Sequence, residues 1–456
     1  MTDASLACVI LAAGKGTRMK SDLPKVLHPV AGVPMVRHTV DAATALGPER
    51  LVVVVGPGMA AVDAAVAPWP TVVQQAQLGT GDAVKAALPL LEDFAGDVLI
   101  VYGDTPLITA DDLRVMVERR RAPDDPALVV LGMRPDDPAQ YGRLLLDADG
   151  HLEAIVEHAD ATPQQRGIGL CNAGLMAFDG RRMAALLHAI GNDNAKGEYY
   201  LTDAVAAARA RGWPCAVAEG DAEAVLGINS RAELALAEKA MQQRLRARAM
   251  ADGATLIDPD TVYLSADTRL GRDVTIFPSV FFGPGVVVED NVEIRGFSHI
   301  EGARIAAGAQ VGPFARLRPG AMIGPDAHVG NFVEVKNATL GAGAKANHLT
   351  YLGDADVGAR SNIGAGTITC NYDGFLKYRT VLGEEVFVGS NTALVAPVTV
   401  GDRANIGAGS VITKDVAADA LALERADQRE VPRGAARFRT AKAAEKAKRS
   451  GTQGKA

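Results

Sequence analysis

The densest group of residues that could do chemistry lies near the amino terminus. Residues 11–19 read Leu-Ala-Ala-Gly-Lys-Gly-Thr-Arg-Met. A glycine-rich turn lets backbone N–H groups approach phosphate oxygens closely, and Lys15, Arg18 and Lys25 add positive charge there. Met19 stands where a dinucleotide-binding fingerprint has its third glycine, and no Walker A pattern fits. We therefore predict a phosphate-binding loop of another type, in preference to a purely structural glycine turn.

A second group of reactive side chains is three histidines in the carboxy-terminal half. His299, His328 and His348 could supply a general base, because imidazole accepts a proton near neutral pH. They could instead be exposed turn residues, or together they could hold a metal ion. Their positions in the sequence do not suggest that they converge, so the metal site is the weaker alternative.

The elements that must position the first group alternate between strands and helices over residues 1–230. Predicted strands cover 7–11, 51–55, 98–102, 128–131 and 174–178, and predicted helices include 35–46, 82–91 and 111–121. Such alternation indicates a mostly parallel α/β sheet covered on both faces. Ligands bind these sheets at the carboxyl ends of the strands, which places a site at the turn after Leu11.

A single long helix is predicted between the two halves of the chain. Residues 231–251 contain neither glycine nor proline, Ser230 and Glu233 form a capping-box pattern, and Gly253 follows as a stop signal. A helix of that length spans roughly 30 Å. We predict a rigid connector between two domains.

Beyond the helix, aliphatic residues recur mostly every six positions. The recurring positions are Leu270, Ile276, Phe282, Val288, Ile294, Ile300, Ile305, Val311, Leu317, Ile323, Val329, Val335, Leu340, Ala346, Leu352, Val357, Ile363, Leu382, Val388, Leu394, Val400, Ile406 and Ile412. Residues 369–381 interrupt the series. A hexapeptide repeat is the signature of a parallel β-helix, in which each unit makes one short strand and one turn.

Composition limits the classes of protein to which the chain can belong. The chain has 48% apolar and 22% charged residues, which is typical of a globular protein. Its net charge of −7 argues against a nucleic-acid binder. No apolar run approaches the length of a membrane span. The apolar run 6–13 follows Asp3 without any lysine or arginine, which favours a buried strand over a signal peptide and predicts a cytoplasmic protein.

The carboxy-terminal residues 433–456 carry eight basic side chains and a single acidic one, Glu445. We predict that this segment is a disordered tail.

The glycine-rich motif resembles the signature of the sugar nucleotidylyltransferases. With the repeat domain, nearly the whole chain is similar to the family of bifunctional N-acetylglucosamine-1-phosphate uridylyltransferases and glucosamine-1-phosphate N-acetyltransferases. The resemblance implies a Rossmann-like, mostly parallel domain, a left-handed β-helix, and a homotrimer with acetyltransferase sites between subunits. It also implies UDP-N-acetylglucosamine synthesis for bacterial envelope polymers such as peptidoglycan and lipopolysaccharide, with UTP and acetyl-CoA as co-substrates and Mg²⁺ as cofactor.

For the uridylyltransferase, the resemblance assigns residues along the first 230 positions. Arg18 and Lys25 would be catalytic, with Lys25 on the nucleotide phosphates, and Asp104 and Asn229 would hold Mg²⁺. The positions implied for UTP and the sugar nucleotide are Leu11, Ala12, Ala13, Gly14, Lys25, Gln74, Gly79, Thr80, Tyr102, Gly103, Asp104, Gly142, Glu157, Asn172 and Asn229. Among them, Gln74, Gly79 and Thr80 match the family's uracil-reading positions, and Gly142, Glu157 and Asn172 match its sugar-binding positions.

For the acetyltransferase, the segment Asn-His-Leu-Thr-Tyr-Leu-Gly-Asp at 347–354 resembles the family's catalytic segment. His348 is the implied general base, and Glu334 is a weaker candidate to orient or polarise the site. Glucosamine 1-phosphate would contact Arg318, Lys336, Tyr351 and Asn362. Acetyl-CoA would contact Ala365, Asn371, Tyr372, Ser390, Ala408 and Arg425.

The resulting domain hypothesis has four parts: a uridylyltransferase at 1–230, a helical linker at 231–251, an acetyltransferase at 252–432 and the tail at 433–456.

Two alternative functions remain at this point. In one, only the nucleotidyltransferase is active and the β-helix serves oligomerisation or regulation, which the segment around His348 argues against. In the other, the chain is a non-enzymatic scaffold, which the intact set of Gly14, Lys25, Asp104 and Asn229 argues against.

Overall fold

The computed structural model of the protein describes residues 5–138, 141–194 and 196–453, with side chains up to residue 449. The chain divides into two compact units, Met1–Pro319 and Gly320–Ala456. The predicted domain boundary, at residue 252, lies inside the first unit, which therefore contains the α/β domain, the long helix and the first repeats.

The α/β part of the first unit is built on one mixed sheet. Its strands are β1 Leu6–Leu11, β2 Pro29–Val30, β3 Val33–Pro34, β4 Arg50–Val55, β5 Thr71–Val73, β6 Asp97–Tyr102, β7 Leu128–Met133, β8 Arg143–Leu146, β9 Leu152–Val156, β10 Cys171–Asp179 and β11 Cys215–Glu219. The sheet order is β11-β7-β10-β6-β1-β4-β5; β8 pairs with β10 and with β9, and β2 and β3 form a separate hairpin. β10 runs antiparallel to β6 and β7, and the remaining pairs along this path are parallel.

Helices cover both faces of this sheet. The helices of the first unit are α1 Met35–Thr44, α2 Ala60–Val66, α3 Thr80–Ala87, α4 Ala110–Arg120, α5 Pro163–Arg166, α6 Gly180–Ala189, α7 Asp203–Arg209 and α8 Arg231–Ala251, with short 3₁₀ turns that include Thr17–Met19 and Lys25–Leu27. Alternate residues of β1 belong to two separate apolar clusters, one on each face. The central strands are therefore buried on both sides, which is why the sequence shows them as continuous apolar runs.

The long helix α8 begins and ends where the sequence predicts, and Ser230 Oγ accepts a hydrogen bond from Glu233 N at 3.3 Å. It is, however, more than a connector. Ala237 and Ala240 lie in an apolar cluster with residues of the α/β domain. Near its other end, the buried Gln242 bonds to both backbone groups of Leu264, and Arg246 donates to the Pro259 carbonyl. These contacts explain why the first repeats belong to the same compact unit as the α/β domain.

The repeats form short parallel strands in three sheets. In the first unit the strands are Thr255–Leu256, Arg269–Leu270, Thr275–Ile276, Phe281–Phe282, Val287–Val288, Glu293–Ile294, His299–Ile300, Ala303–Ile305, Gln310–Val311 and Arg316–Leu317. In the second they are Ala321–Ile323, His328–Asn331, Glu334–Lys336, Thr339–Leu340, Lys345–His348, Tyr351–Gly353, Ala355–Val357, Asn362–Ile363, Ile368–Cys370, Thr380–Leu382, Phe387–Val388, Ala393–Val395, Val398–Val400, Asn405–Ile406, Val411–Ile412 and Leu421–Ala422.

The structure confirms the predicted parallel β-helix. Its short strands are present, and the recurring aliphatic side chains point into the interior of the coil. Of the recurring aliphatic residues, all but Leu270 are buried. The interruption is shorter than the sequence indicates, because Ile368–Cys370 continues the series with Thr369 at the inward position. Thr369 Oγ1 accepts a hydrogen bond from Gly353 N at 2.8 Å, so a polar residue is tolerated there. The loop proper covers residues 371–379.

The carboxy-terminal tail differs from the expectation of disorder. Gly434–Gln453 forms a helix, α9, most of whose described side chains are exposed. Its many alanines favour helix formation, and Glu445 pairs with both Lys442 and Arg449 across successive turns. Among the helices that the structure describes, none combines the length and the apolarity that crossing a bilayer requires.

Candidate functional site

A cavity of about 520 Å³ opens at the carboxyl ends of β1 and β6. Its lining residues are Leu11, Ala12, Ala13, Gly14, Lys15, Lys25, Val26, Gln74, Ala76, Gln77, Gly79, Thr80, Ala83, Tyr102, Asp104, Glu198 and Tyr200. Most of the predicted nucleotide-binding residues therefore line one cavity. Parallel strands deliver their following turns to one edge of the sheet, which explains the convergence.

The glycine-rich turn packs closely against Lys25, which lines the cavity. Gly16 has φ of +60°, in the left-handed region, and a Cβ built there would lie 2.5 Å from Lys25 Cβ. Only glycine fits both conditions. The neighbouring Arg18 lies in the 3₁₀ turn Thr17–Met19 and is exposed, outside the residues that line the cavity.

Three predicted site residues meet at one point. The Lys25 ammonium group contacts the Asp104 carboxylate and lies 3.0 Å from Asn229 Oδ1. The side chains of Lys25 and Asp104 are only 11% and 17% exposed. A carboxylate oxygen and an amide oxygen thus already surround a positive charge. Oxygen ligands of these types suit Mg²⁺, which keeps several waters and needs few protein donors. The donor set fits the predicted ion.

Gln74 and Gly79, at positions that the resemblance assigns to uracil, are held by hydrogen bonds and close packing. The buried Gln74 donates from Nε2 to Gly79 O at 2.9 Å and to Asp82 Oδ2 at 2.8 Å. Gly79 has φ of +99° and no room for a side chain, since a Cβ would lie 2.8 Å from Tyr199 O. The tight fit against Tyr199 is a reason for glycine at this position.

Sequence reasoning missed several residues of this cavity. Gln77 donates from Nε2 to Ala13 O at 2.7 Å, and Glu198 and Tyr200 complete the wall. The last two come from a distant segment that is held by backbone hydrogen bonds between Tyr199 and residues 78 and 81. No spacing in the sequence signals that pairing.

The predicted sugar-binding residues lie together beside Tyr102. Asn172 N donates to Gly142 O at 2.8 Å, and a Cβ on Gly142 would meet the Glu157 carboxylate at 3.6 Å. Burial, followed by the negative charges of Asp104 and Glu157, raises the pKa of Tyr102. Its phenol therefore stays neutral and can serve as a hydrogen-bond donor. Gly103 continues β6 towards Asp104, and its N–H bonds to Leu11 O.

In the second unit, His348 ends the strand Lys345–His348 with an exposed side chain. Its Nδ1 lies 2.7 Å from Asn331 Oδ1, the residue opposite it in the preceding coil. An Nδ1–H that bonds to a carboxamide oxygen leaves Nε2 as the basic nitrogen. Sequence reasoning did not select Asn331, although its spacing of one coil from His348 is a usable signal. His328 lies three residues out of register with His348, roughly 10 Å along the sheet, so these two histidines do not share a site.

The residues predicted for glucosamine 1-phosphate are distributed over neighbouring sheets. Glu334 pairs with Tyr351, and Lys336 closes the same strand. Asn362 pairs with Lys345, so it belongs to the sheet of His348. Arg318 follows the strand Arg316–Leu317 in the first unit.

The residues predicted for acetyl-CoA lie on two different edges of the β-helix. We call the turns after Lys345–His348, Asn362–Ile363, Phe387–Val388 and Asn405–Ile406 the His348 edge. Along it, Asn391 N bonds to Ala365 O, Gly409 N bonds to Ser390 O, and Arg425 donates to Ala408 O at 2.7 Å. Four of the six predicted residues therefore meet there.

The remaining two, Asn371 and Tyr372, lie on what we call the Asn371 edge, the turns after Glu334–Lys336, Tyr351–Gly353 and Ile368–Cys370. Tyr372 is exposed, whereas Asn371 is buried. Within the second unit, a full sheet width separates the two edges. The predicted acetyl-CoA residues thus form two groups in one copy of the chain.

Comparison with known proteins assigns both halves. Residues 8–167 match the MobA-like NTP transferase domain, and residues 379–414 match the bacterial transferase hexapeptide of six repeats. The chain is 60% identical to "Bifunctional protein GlmU" of Paramagnetospirillum magneticum over 98% of this chain and 100% of that protein. It is 65% identical to the protein of that name from Rhodospirillum rubrum, over 95% of this chain and 97% of that one.

A third relative of the same name, from Rhizorhabdus wittichii, is 59% identical over 98% of this chain. Similarity at this level covers both halves of the chain, in the same order. It confirms the family resemblance, the mixed α/β fold and the hexapeptide-repeat fold. The chain therefore belongs to the GlmU family of bifunctional proteins, and it is a transferase with a nucleotidyltransferase half and a hexapeptide-repeat acyltransferase half.

Proposed function

We propose how the residues of this bifunctional enzyme divide the synthesis of UDP-N-acetylglucosamine between them. The β-helix transfers acetyl from acetyl-CoA to glucosamine 1-phosphate. The α/β domain then transfers uridylyl from UTP to N-acetylglucosamine 1-phosphate and releases pyrophosphate. The observation that carries the proposal is that Lys25 and Asp104 line a cavity of nucleotide size and that Asn229 contacts the same Lys25 ammonium group.

In the uridylyl step, a phosphate oxygen of the sugar attacks the α-phosphorus of UTP, and the bond from that phosphorus to the bridging oxygen breaks. Such transfers depend on positioning and charge stabilisation. The turn around Gly14 holds the phosphates, Lys25 and Arg18 offset the charge of the departing pyrophosphate, and Gln74 with Gly79 orients the base. Mg²⁺ held by Asp104 and Asn229 would neutralise phosphate charge when bound.

Substituting Lys25 with methionine should strengthen the binding of a divalent cation in the absence of nucleotide. The Lys25 ammonium group occupies the space between Asp104 and Asn229, so a cation has to displace it. We expect Mn²⁺ to bind Lys25→Met at least about tenfold more tightly, a change of about 1.4 kcal/mol, as measured by electron paramagnetic resonance. Lys15→Met, on the same cavity wall, is the matched control, and equal Mn²⁺ affinity in wild type and Lys25→Met would contradict the assignment.

In the acetyl step, the substrate amine attacks the thioester carbonyl carbon, a C–N bond forms, and the C–S bond breaks. His348 accepts the amine proton on Nε2, and the thiol of CoA leaves. Asn331 holds the ring through Nδ1, and Glu334 lies across the adjacent turn. Lys336, with Arg318, would bind the phosphomonoester through charged donors, and Tyr351 and Asn362 would contact the sugar.

The separation of the acetyl-CoA residues supports a homotrimer. Ala365, Ser390 and Ala408 lie on the His348 edge, whereas Asn371 and Tyr372 lie on the Asn371 edge. If the two groups bind one acetyl-CoA molecule, they come from different copies of the chain. Hexapeptide β-helices that associate side by side would supply both groups of residues to one site.

We further propose that the enzyme acts in the cytoplasm, where its nucleotide and CoA substrates are made.

Assaying the two half-reactions separately on the purified chain tests the proposal. We expect thiol release from acetyl-CoA with glucosamine 1-phosphate, and magnesium-dependent pyrophosphate release from UTP with N-acetylglucosamine 1-phosphate. Swapping the sugar phosphates between the assays is the internal control. Pyrophosphate release without any acetyl transfer would favour the alternative in which the β-helix only assembles or regulates the enzyme. Absence of both activities would favour a scaffold.

A further inference from the structure

The carboxylate of Asp354 joins three successive turns of the Asn371 edge. Its two oxygens accept hydrogen bonds from Asn337 Nδ2 at 2.6 Å and from Asn371 Nδ2 at 2.5 Å. Asn337 lies 17 residues before Asp354 and Asn371 lies 17 residues after it, which corresponds to one coil in each direction. The carboxylate thus ties the turn that carries Asn371 to the two turns below it.

Asp354 is also held by its own backbone. Its N–H donates to Lys336 O at 3.0 Å, and its carbonyl accepts from Thr380 N at 3.1 Å. Its φ of +46° is in the left-handed region, which aspartate and asparagine tolerate better than most residues. Main-chain contacts therefore link it to Lys336, one of the residues proposed for the sugar phosphate, and side-chain contacts link it to Asn371.

The charge on Asp354 is buried and compensated. The residue is 8% exposed. Burial alone would raise its pKa, but the hydrogen bonds from Asn337 and Asn371 and the positive charges of Lys336 and Lys377 lower it below its ordinary value. A buried carboxylate that stays ionised is a strong acceptor, and it holds both carboxamides in one orientation.

Asn371 is the base of an ordered loop. Its carbonyl accepts from Tyr378 N at 2.9 Å, which closes the loop. Inside, Asp373 Oδ1 accepts from the N–H groups of Phe375 and Leu376 at 2.8 and 2.7 Å. The loop presents an almost fully exposed Phe375, at 91%. Its orientation on the β-helix depends on how its base is anchored.

We propose that Asp354 is a positioning residue for acetyl transfer, which fixes Asn371 and with it the loop of residues 371–379 in the orientation that receives acetyl-CoA. The inference rests on the proposed function, in which Asn371 and Tyr372 contact acetyl-CoA. Asp354 acts through Asn371 and does not touch the substrate. Its backbone bond to Lys336 does not depend on the side chain, so the carboxylate acts on Lys336 only through its charge, whereas it holds Asn371 by a direct hydrogen bond.

The test is Asp354→Asn in the full-length enzyme. In this variant the carboxamide of residue 354 has a single oxygen acceptor, whereas Asn337 and Asn371 both donate to this position. One of the two hydrogen bonds is therefore lost. We expect the KM for acetyl-CoA to rise about 10- to 100-fold, with the KM for glucosamine 1-phosphate changed by no more than about twofold. Uridylyl transfer by the same chain should be unchanged and reports that the α/β domain is folded, while the retained KM for glucosamine 1-phosphate reports that the β-helix is folded. Asp326→Asn, an exposed left-handed corner aspartate of the same β-helix, is the matched control.

A second variant distinguishes orientation from loss of folding. In Asp354→Asn combined with Asn337→Asp, the amide of residue 354 donates to the new carboxylate at 337 and its oxygen again accepts from Asn371. We expect this pair to restore most of the affinity for acetyl-CoA. An unchanged KM in Asp354→Asn, or no recovery in the pair, would overturn the inference. If Asn371→Ala also left the KM for acetyl-CoA unchanged, the proposed acetyl-CoA site itself would be wrong.

Discussion

Substituting His348 with alanine is expected to lower the rate of acetyl transfer by about 10²- to 10⁴-fold and to leave uridylyl transfer unchanged. The amine of glucosamine 1-phosphate must lose a proton as it attacks the thioester, and a positioned base typically contributes about 10²- to 10⁴-fold to such a step. His348 is exposed at the His348 edge, and its Nδ1 is held by Asn331, so Nε2 is presented for that role. Thiol release from acetyl-CoA at saturating substrate measures the loss in kcat.

His328→Ala is the matched control for this substitution. His328 begins the strand that pairs with the strand of His348, but three residues out of register. The His328→Ala variant should retain full acetyl transfer. Full activity in His348→Ala would show that another group accepts the proton, and Glu334, across the adjacent turn, would be the next residue to substitute. A parallel loss of uridylyl transfer would point instead to a folding defect.

Substituting Asp104 with alanine should have the opposite outcome, with loss of uridylyl transfer and full acetyl transfer. The carboxylate contacts Lys25 and, with Asn229, completes the pair of oxygen donors proposed for Mg²⁺. Its removal takes away both the ligand and the anchor of Lys25. We expect pyrophosphate release to fall by about 10²- to 10³-fold or more, as for other groups that stabilise transition-state charge.

Asp149→Ala is the control for the charge change, because Asp149 is an exposed acid in the turn between β8 and β9 of the same domain. Asp104→Asn separates the two roles of the carboxylate. If Asp104 binds the metal, the magnesium concentration needed for half-maximal rate should rise in this variant. If that concentration stayed unchanged while the rate fell, Asp104 would act only through Lys25.

Much of the architecture could be predicted from the sequence because it repeats or is local. Buried strands such as β1 and β6 appear as unbroken apolar runs, and the β-helix appears as an aliphatic residue every six positions. Helix α8 is bounded by Ser230 and Gly253, which are local signals for a helix start and stop. Each of these features depends on neighbours in the sequence, so the pattern alone is sufficient to place it.

Predictions were weaker where long-range contacts decide the outcome. The sequence pattern places the interruption of the repeat at residues 369–381, yet Thr369 is buried inward because its hydroxyl hydrogen-bonds to the backbone of the preceding coil. Composition predicts a disordered tail from residue 433, whereas the structure has the helix α9 there, with Glu445 paired to Lys442 and Arg449. Composition alone could not decide either case.

Residue order, with the family resemblance that it carries, predicts the two folds, their order and the residues proposed to bear the chemistry, including Lys25, Asp104, Asn229 and His348. Which of these residues meet depends on how the chain packs. The fold brings Lys25 between Asp104 and Asn229 across 204 residues of chain, sets Asn331 against His348, and divides the residues proposed for acetyl-CoA between two edges. The physical reason is that side-chain chemistry is carried by residue type, whereas convergence depends on strand register and coil stacking, which arise only when distant segments pack together.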